Sequence, residues 1–370
     1  MTIAFRRLGL PPIVNAAGKL TALGGSAQAD EVAEAQREAA QVHVDLAVLR
    51  ERAGARIAEL AGADAASIVP GAAAGIAIAV AACITGNDLE RVRRLPDTHG
   101  LPNGVVLQSG HDIDFGAEVT QMIALGGGRS IVIGTAERVD EQALKDALAD
   151  RAQIVAFVYV QSHHCKQEGR IPLADCIATC HHAGVPVIVD AAAEEDLRHY
   201  IAVGADLVTY SGGKAFGGPT VGFIAGSRER VAACELQQRG IGRAMKVGKE
   251  QIAGLLVALE RYAARDVDSE SKRRRARVRR LYERLRKLAR VTVRIQADEA
   301  GRDIERVAIA PADGDVRALV AHLQNGTPSI RTRNHHVQDG YVLIDPREVA
   351  DEQLDAIVAR VAAYGLETER

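Results

Sequence analysis

The sequence predicts an α/β fold in which helices cover both faces of a mostly parallel sheet. Between about residues 66 and 226, short β-branched runs alternate with helical stretches. These runs are apolar at nearly every position, which is typical of strands buried on both faces. The chain has 370 residues, of which 47% are hydrophobic, so it is long enough for one large core and a smaller second domain.

The large domain is predicted from alternating strands and helices. Its strands are GVVLQ (104–108), SIVIG (130–134), IVAFVYV (154–160), VPVIVD (185–190), DLVTY (206–210) and VGFIAG (221–226). The helices between them are DEQALKDALAD, PLADCIATCHHAG and EEDLRHYIAVG. Residues 30–60 also have helical periodicity. The stretch 67–85 predicts a buried helix behind a glycine turn, because Pro and Gly interrupt it too often for a membrane span.

The C-terminal part of the chain predicts a different pattern. Residues 250–290 indicate long helices, and one apolar seam consists of Val278, Leu281, Leu285 and Leu288. After them come the short strands VTVRI, RVAIA and YVLID and a final helix, EQLDAIVARVAAYG. We therefore predict an N-terminal arm (1–29), a large cofactor-binding domain (30–255), and a long helix with a small α/β domain (256–370).

Composition excludes several classes of partner. The net charge of -2 gives no overall attraction to nucleic acid or to an anionic membrane. Five cysteines without paired spacing indicate free thiols in a reducing compartment. The N-terminus MTIAFRRLGLPP has no apolar core of a secretion signal, so we expect a cytoplasmic protein.

Two local clusters have an ordinary and a more specific interpretation. The stretch 270–290 is strongly basic, which indicates either a solvated helix face or a nucleic-acid site; a subunit contact and attraction of an anionic substrate also stay open. DCIATCHHAG (175–184) and SHHC (162–165) suggest metal, but no C-x2-C pair or second cluster supplies four ligands. We favour the solvated face and expect no metal.

The candidate chemistry lies where predicted strands end. Lys214 follows the strand at 206–210 and is preceded by Ser211 and two glycines. Asp190 ends another strand, and His111 follows a third. Because ligands bind at the carboxyl ends of parallel strands, these side chains should lie at one edge of the sheet. The glycine turn that opens the helix at 72–85 is a suitable phosphate cradle at the same edge.

These four features together predict pyridoxal 5′-phosphate. An amine can form a Schiff base with the cofactor aldehyde, a carboxylate can keep the pyridine nitrogen protonated, and a helix N-terminus can bind the phosphate. Each feature alone is a weak signal, and their order on one sheet is what makes the pattern specific. A Walker-type phosphate loop is excluded because Ala215, not Ser or Thr, follows Lys214.

The sequence resembles the selenocysteine synthase-like branch of fold-type I pyridoxal-phosphate enzymes. The resemblance is carried by VIVDAAAEEDLR, GADLVTYSGGKAFGGPTVGFIAG, GRAMKVGKEQIAGLLVALERY, VNAAGKLTALGGS, AAAGIAIAVAACITG, SHHCKQEG and TPSIRTR with DGYVLIDPR, so it covers nearly the whole chain. It implies an aspartate aminotransferase-like fold. The selenocysteine synthases carry an additional N-terminal tRNA-binding region, whereas the cofactor-domain pattern here begins almost at residue 1, so we do not expect tRNA chemistry.

The resemblance also implies roles for individual residues. Lys214 would bond to the cofactor, Asp190 would pair with its ring nitrogen, and His111 would stack on the ring. The residues that would bind the cofactor phosphate are Ala72, Ala73 and Ser211. Arg333 and Arg331 would receive a substrate carboxylate. From the sequence itself, His163 follows the strand at 154–160 and is expected to border the active site, and Arg243, Lys246 and Lys249 are cations available for a substrate phosphate.

The reaction that we expect is elimination from a 2-amino-3-hydroxy acid, which releases a 2-keto-3-deoxy acid and ammonia. The general acid that assists the leaving hydroxyl is either Lys214 or His111. Racemisation, aldol cleavage or β-replacement on the same scaffold stays open, and a nucleic-acid accessory role is the more distant alternative. Fold-type I enzymes commonly complete each active site with a partner subunit, so the resemblance also implies a homodimer or a higher homo-oligomer.

Overall fold

A computed structural model describes residues 3–162, 165, 168–298 and 302–364 of the chain. Contacts between Cα atoms divide the chain into two compact units. Residues Gln28–Ala264 form one, which we call the central unit, and Met1–Ala27 with Arg265–Arg370 form the other, the terminal unit. The domain boundaries expected from the sequence, after residues 29 and 255, lie near these divisions and stay a prediction.

The helices and strands are numbered in chain order. The helices are α1 (Ile3–Arg7), α2 (Asp30–Ala40), α3 (Leu46–Ala61), α4 (Ala72–Thr85), α5 (Leu89–Arg94), α6 (Val119–Leu125), α7 (Glu141–Ala147), α8 (Leu173–His182), α9 (His199–Val203), α10 (Arg228–Leu236), α11 (Lys249–Ala263), α12 (Val267–Leu285), α13 (Val316–Gln324) and α14 (Asp351–Ala363). The strands are β1 (Ile13–Ala16), β2 (Ala65–Val69), β3 (Gly104–Gln108), β4 (Arg129–Ile133), β5 (Ile154–Val160), β6 (Val187–Asp190), β7 (Leu207–Ser211), β8 (Gly222–Gly226), β9 (Val291–Ala297), β10 (Glu305–Pro311), β11 (Ser329–Thr332) and β12 (Val342–Ile344).

The central unit is built on a seven-stranded sheet with the order β2-β8-β7-β6-β5-β3-β4. The five strands from β7 to β4 are parallel, whereas β8 is antiparallel to both of its neighbours. The mostly parallel sheet is therefore confirmed. The stretch 67–85 was predicted as a buried helix behind a glycine turn; its first three residues, 67–69, belong instead to β2, and α4 begins at Ala72 after Gly71.

Helices cover both faces of this sheet, so its strands are buried on both sides except at the edge strand β4, which is partly exposed. Along β7, Val208 and Tyr210 belong to one apolar core, with residues of α3, α8 and α11. Leu207 belongs to the other, which includes most of α4. Since alternate residues of each strand contribute to opposite cores, nearly every strand position is apolar, as the sequence analysis assumed.

The terminal unit has a smaller core. The strands β9, β10 and β12 form an antiparallel sheet, and β1 pairs in parallel with β11, two strands that the sequence analysis did not identify. Val278, Leu281 and Leu285 of α12 are buried in this core. The helix ends at Leu285, so Leu288 joins the predicted apolar seam from the turn that follows and is only partly buried.

The basic face of α12 is largely neutralised within the terminal unit. Six of its arginines, counting the C-cap, form ion pairs: Arg274 with Glu270, Arg275 with Asp303, Arg277 and Arg280 with Asp351, Arg284 with Asp355, and Arg286 with Glu283. A surface of paired arginines offers little attraction to a phosphate backbone. These contacts favour the solvated helix face over a nucleic-acid site.

The cysteines and histidines of α8 have ordinary packing and polar contacts, while His163 and His164 lie outside the described residues. Cys176 and Cys180 are fully buried on one face of α8, and His181 at its C-terminal end contacts Asp206. All five cysteines are free thiols. Within the described ranges, no three His, Cys, Asp or Glu side chains are grouped as metal ligands. None of the described helices is both long and apolar enough to cross a membrane.

Candidate active site

The predicted site residues of the central unit lie at one edge of its sheet. Asp190 is the last residue of β6 and Ser211 the last of β7, while His111 ends a short turn directly after β3. These strands run parallel, so their carboxyl ends point the same way. β2 runs in the same direction, since it and β7 are both antiparallel to β8; the start of α4 at Ala72 therefore lies at this edge too.

Glycines allow the N-terminus of α4 to approach β7 and β8 closely. A methyl group at Gly75 would overlap the Thr209 side chain, and one at Gly222 would lie 2.9 Å from the Gly71 Cα. Gly222 pairs directly with Ser211 across the sheet. The first amide groups of a helix have no intrahelical acceptor. Ser211 and the free N–H groups of Ala72 and Ala73 are therefore brought together, which fits a phosphate cradle.

Asp190 is a buried carboxylate with little compensation. It is 7% exposed, and within the described residues its one hydrogen bond comes from the Ala192 N–H at 3.1 Å. Burial raises the pKa of Asp190 to about 6, although the positive charge of Lys214 offsets part of this effect. A buried carboxylate of this kind has room to bind a further cationic donor, such as a protonated pyridine nitrogen.

Lys214 follows β7 in a tightly folded loop. The Gly212 N–H donates to Val221 O, and the Gly218 N–H donates to Gly212 O, so the loop returns upon itself. A side chain at Gly212 would lie 2.7 Å from Leu255 of α11 and 3.0 Å from Val221 O. The glycines around Lys214 thus let the loop pack between β8 and α11 while the lysine remains next to Asp190, on whose carboxylate its charge acts.

His111 is fully buried, and its protonation state follows from one contact. The Val160 N–H donates to Nδ1 at 3.3 Å, so Nδ1 carries a lone pair and Nε2 carries the hydrogen. Burial, followed by the nearby charge of Arg170, lowers the pKa of His111 to about 3. The ring is therefore neutral at physiological pH. Its Nε2–H has no acceptor among the described residues, and Tyr159 packs edge-on against it at 4.5 Å.

Arg170 is a buried charged residue of this region that the sequence analysis did not single out. It follows β5 and is 8% exposed. Its guanidinium lies against Gly110, where any side chain would overlap it. The sequence signal is a single arginine in EGRIP, soon after a buried strand, but its burial depends on a glycine 60 positions away.

The substrate-binding residues predicted from the C-terminal region lie in the terminal unit. Arg331 belongs to β11, and Arg333 follows it and pairs with Leu343 through backbone hydrogen bonds. Their Nε groups are buried without an acceptor among the described residues. Burial, with the charge of Arg306, lowers the pKa of Arg333 to about 10. Both side chains thus retain donors for an anion.

The surroundings of Arg333 are a dense network of compensated charges. Asp345 is fully buried and accepts from Arg306 Nε at 3.0 Å and from Arg347 Nη2 at 2.8 Å. Asp298 accepts from Arg306 Nη1 at 2.8 Å and from both sides of the Arg302 fork. Although burial opposes ionisation, Arg347 and Arg306 lower the pKa of Asp345 to about 2. This network holds the framework around Arg333 rigidly.

The remaining predicted residues are placed less favourably or lie outside the description. Lys246 and Arg243 are exposed, in and beside a short turn before α11. Lys249 contacts Glu250 at 2.6 Å and Ala40 O at 3.2 Å. His163 lies outside the described residues.

Comparison with solved structures assigns the class of the fold. The chain superposes on a structure of D-glucosaminate-6-phosphate ammonia-lyase with a TM-score of 0.91 and 39% identity, covering 99% of this chain and 100% of that one. It also matches serine palmitoyltransferase of Sphingomonas wittichii with a TM-score of 0.59 and 14% identity, covering 97% of this chain and 88% of that chain, which shows the fold alone. The fold is that of fold-type I pyridoxal-phosphate enzymes.

Sequence comparison then gives the family. The family model described as L-seryl-tRNA selenium transferase matches residues 13–312, and the chain belongs to this family. Two individual relatives are similar to nearly the whole chain. One is D-glucosaminate-6-phosphate ammonia lyase of Salmonella typhimurium, 40% identical over 361 residues and 96% of each chain. The other is 5′-C-glycyluridine monooxygenase-decarboxylase of a Streptomyces species, 41% identical over 365 residues, 97% of this chain and 91% of the relative.

These findings confirm the fold class, the family and the assignment as a pyridoxal-phosphate enzyme that the sequence analysis made. The residues at the sheet edge fit the cofactor independently. Asp190 is a buried carboxylate without a cationic hydrogen-bond donor among the described residues, the His111 Nε2–H lacks an acceptor among them, and the start of α4 has free amide groups.

Proposed function

We propose that the protein is a pyridoxal-phosphate-dependent ammonia-lyase that acts on a 2-amino-3-hydroxy acid such as D-glucosaminate 6-phosphate. The products would be a 2-keto-3-deoxy acid and ammonia. The observation that carries this proposal is the match over 99% of the chain to the ammonia-lyase structure at a TM-score of 0.91. The grouping of Asp190, Lys214, His111 and the start of α4 at one sheet edge supports it.

The residues of the central unit would hold the cofactor through contacts of four kinds. Lys214 Nζ would bond to it covalently, and Asp190 would hold a proton on the ring nitrogen. The neutral ring of His111 would pack against the cofactor ring. The Ser211 hydroxyl and the N–H groups of Ala72 and Ala73 would donate to the phosphate. Pyridoxal phosphate, when bound, supplies an electron sink for an amino acid joined to its aldehyde.

Proton transfer in this proposal falls to Lys214. A neutral lysine amine can take the α-proton of the substrate and then donate a proton to the departing 3-hydroxyl oxygen. His111 was the other candidate acid. It is the weaker one, because its Nδ1 accepts from the Val160 N–H and its pKa is lowered to about 3 by burial and by Arg170. The general acid is therefore assigned to Lys214 Nζ.

Substrate anions would be received by arginines. Arg333 and Arg331 keep buried Nε donors, and a planar fork is the preferred partner of a carboxylate. Lys246 is exposed and would contribute at most a solvated charge, with Arg243 and Lys249 as weaker contributors. His163 stays a proposed substrate contact from its place after β5.

The test is a product assay with purified protein. D-Glucosaminate 6-phosphate is expected to give one keto acid and one ammonia per substrate, and the Lys214→Ala variant should give neither. A panel of other 2-amino acids, scored for racemised, cleaved or β-substituted products, separates the alternative reactions of the scaffold. Keto acid and ammonia absent with every 2-amino-3-hydroxy acid would contradict the proposal.

A second candidate activity follows from the Streptomyces relative. It is as similar to the chain as the ammonia-lyase is, at 41% against 40% identity. 5′-C-Glycyluridine is therefore the second substrate to test, with oxygen uptake and carbon dioxide release as the readout. Those products, without ammonia release from the sugar acid, would assign the monooxygenase-decarboxylase reaction instead.

We also propose that the protein is a homodimer or a higher homo-oligomer. In the central unit, four large apolar side chains within seven residues are exposed: Val42, Val44, Leu46 and Val48. An exposed apolar stretch is typical of a subunit contact. Light scattering on purified protein should give at least twice the chain mass of 39.3 kDa, and replacing Val44 and Leu46 with Asp should lower it. A monomeric wild type would contradict this proposal.

A further inference from the structure

Arg170 is a buried cation for which the described residues provide no carboxylate. It is 8% exposed, and its Nη2 group donates to Ala136 O. Nε and Nη1 are buried and have no acceptor within the described residues. A guanidinium cannot lose its proton under physiological conditions. Its burial without a counter-ion is therefore unfavourable, and an anionic ligand would remove that cost.

The position of Arg170 is at the active-site edge of the central sheet. It follows β5, whose end is held to the ring of His111 by the Val160 N–H. Burial lowers the pKa of His111, and the charge of Arg170 adds to that effect. Burial and the charge of Asp190 raise the pKa of Cys165, and the charge of Arg170 offsets part of that rise. The Arg170 guanidinium also lies against Gly110, the residue that precedes His111, so Arg170 lies beside a residue that would hold the cofactor.

Two local features keep the guanidinium in this position. The peptide group of Ile171 is fixed by the Gln108 side chain, whose Oε1 accepts from the Ile171 N–H at 2.8 Å and whose Nε2 donates to Ile171 O at 3.3 Å. Gly110 leaves the space that the guanidinium occupies, since any side chain there would overlap it. These two features hold the Arg170 guanidinium in place, and no carboxylate among the described residues neutralises it. A charge fixed in this way is pre-organised for an anionic ligand.

We propose that Arg170 binds an oxyanion of the substrate, either a carboxylate or a phosphate group. Both present oxygen acceptors that match the geometry of a guanidinium. The existence of the site rests on the burial and the missing acceptors of Arg170. The identification of its ligand as substrate rests on the proposed function. The His111 Nε2–H is a hydrogen-bond donor near Arg170. Because the His111 ring is neutral, it brings no second charge that would compete with Arg170 for the anion.

The experiment measures anion binding by the holoenzyme, in which the cofactor already fills its own phosphate cradle. Inorganic phosphate and acetate are the two probes, and calorimetry gives their dissociation constants. Arg170→Met should weaken binding of at least one probe by about 10-fold to 100-fold, the usual effect of losing hydrogen bonds to a buried charge. Arg151→Met removes the same charge from an exposed position and should leave both constants unchanged.

A second variant keeps the proposal testable if Arg170→Met does not fold. Gly110→Ala retains the charge but displaces the guanidinium, and it should weaken the same probe. Weaker binding of phosphate alone assigns the substrate phosphate, and weaker binding of acetate alone assigns the carboxylate. Dissociation constants within two-fold of wild type for both probes in a folded variant would overturn the proposal. Binding is measured without turnover, so this outcome is separate from failure of the ammonia-lyase assay.

Thermal unfolding of the cofactor-free protein distinguishes ligand binding from a structural role. If Arg170 serves only to support the fold, Arg170→Met lowers the unfolding temperature. If Arg170 is an unfilled anion site, removal of its buried charge leaves that temperature unchanged or raises it, and phosphate stabilises the wild type more than the variant. A lowered temperature with unchanged stabilisation by phosphate would count against the proposal.

Discussion

The two units of the molecule treat buried carboxylates in opposite ways. In the central unit, Asp190 has one hydrogen bond from a backbone N–H, and burial raises its pKa to about 6. In the terminal unit, Asp345 is more deeply buried, yet Arg347 and Arg306 lower its pKa to about 2. Burial opposes ionisation in both places. What differs is whether the protein itself provides the cations.

This difference separates a site built for a ligand from a network built for rigidity. At the sheet edge of the central unit, the Asp190 carboxylate accepts one backbone hydrogen bond, while His111 Nε2 and Arg170 Nε and Nη1 have no acceptor among the described residues. Around Asp345, the arginine forks and carboxylates are joined by hydrogen bonds of 2.8–3.0 Å. We expect cofactor and substrate to complete the sheet edge. In the terminal unit, Arg306 Nη2, Arg331 Nε and Arg333 Nε also lack acceptors among the described residues, so incomplete compensation is not confined to that edge.

The largest expected effect is at Lys214, whose positive charge offsets part of the rise that burial causes in the pKa of Asp190. Lys214→Ala should lower ammonia release by about 10⁴-fold or more, because both the covalent attachment and the acid–base group are lost. The visible absorption of the cofactor bond should disappear as well. Lys145→Ala, at an exposed lysine of the same unit, is the control and should keep both. A Lys214→Ala protein that keeps both the visible absorption of the cofactor bond and the release of ammonia would contradict this prediction.

The stability of cofactor-free protein should respond in opposite directions at the two carboxylates. Asp345→Asn leaves buried arginines without their counter-ion and should cost about 3–5 kcal/mol of unfolding free energy at pH 7. Asp190→Asn should instead stabilise the protein, by up to about 3 kcal/mol, since one pKa unit corresponds to about 1.4 kcal/mol. Chemical denaturation of both variants measures this contrast. Equal signs for the two changes would contradict it.

The free energy of unfolding should also depend on pH in opposite directions at the two carboxylates. The folded-state pKa of Asp190 is raised from 3.8 to about 6, so folded protein binds its proton more tightly and loses stability as pH rises between these values. The folded-state pKa of Asp345 is lowered from 3.8 to about 2, so its contribution is present above pH 3.8 and is lost as pH falls towards 2. Asp190→Asn should remove only the first of these dependences.

A smaller effect is expected at Arg333. Arg333→Lys replaces a planar fork with a point donor, so KM should rise by about 10-fold to 100-fold while kcat changes little. Arg317→Lys, at an exposed position of the same unit, is the matched control. Steady-state kinetics measure the difference, and an unchanged KM would show that Arg333 does not receive the substrate anion.

At His111 we expect no titration at all. Nitrogen NMR of labelled protein should show an unprotonated Nδ1 and a protonated Nε2, with no change between pH 5 and pH 8, because the pKa is lowered to about 3. A midpoint within that range at His111 would restore it as a candidate general acid.

The sequence was informative where one local pattern determines position. Strands of such a sheet are mostly continuous apolar runs, so β3 to β8 could be located. Asp190 at the end of one strand and His111 shortly after another could then be placed at the carboxyl edge. β2 was missed because its short apolar run joins the Ala-rich helix across Pro70 and Gly71 without a change in composition.

Other features depend on contacts between distant parts of the chain. Burial of Arg170 requires the space at Gly110, and the network at Asp345 requires arginines from β10 and from the turn after β12. No single segment of the sequence contains both partners of these contacts. For the basic stretch 270–290 the sequence analysis favoured a solvated helix face and left a nucleic-acid site open. The carboxylate partners in other segments of the terminal unit favour the solvated face.

The covalent attachment at Lys214 is the central claim, and reduction tests it most directly. Holoenzyme treated with borohydride and then digested should yield one peptide whose mass is increased by the reduced cofactor, and fragmentation should locate that mass at Lys214. The same treatment of Lys214→Ala should yield none. Attachment at another lysine, or an unmodified Lys214 peptide from a coloured protein, would contradict the account.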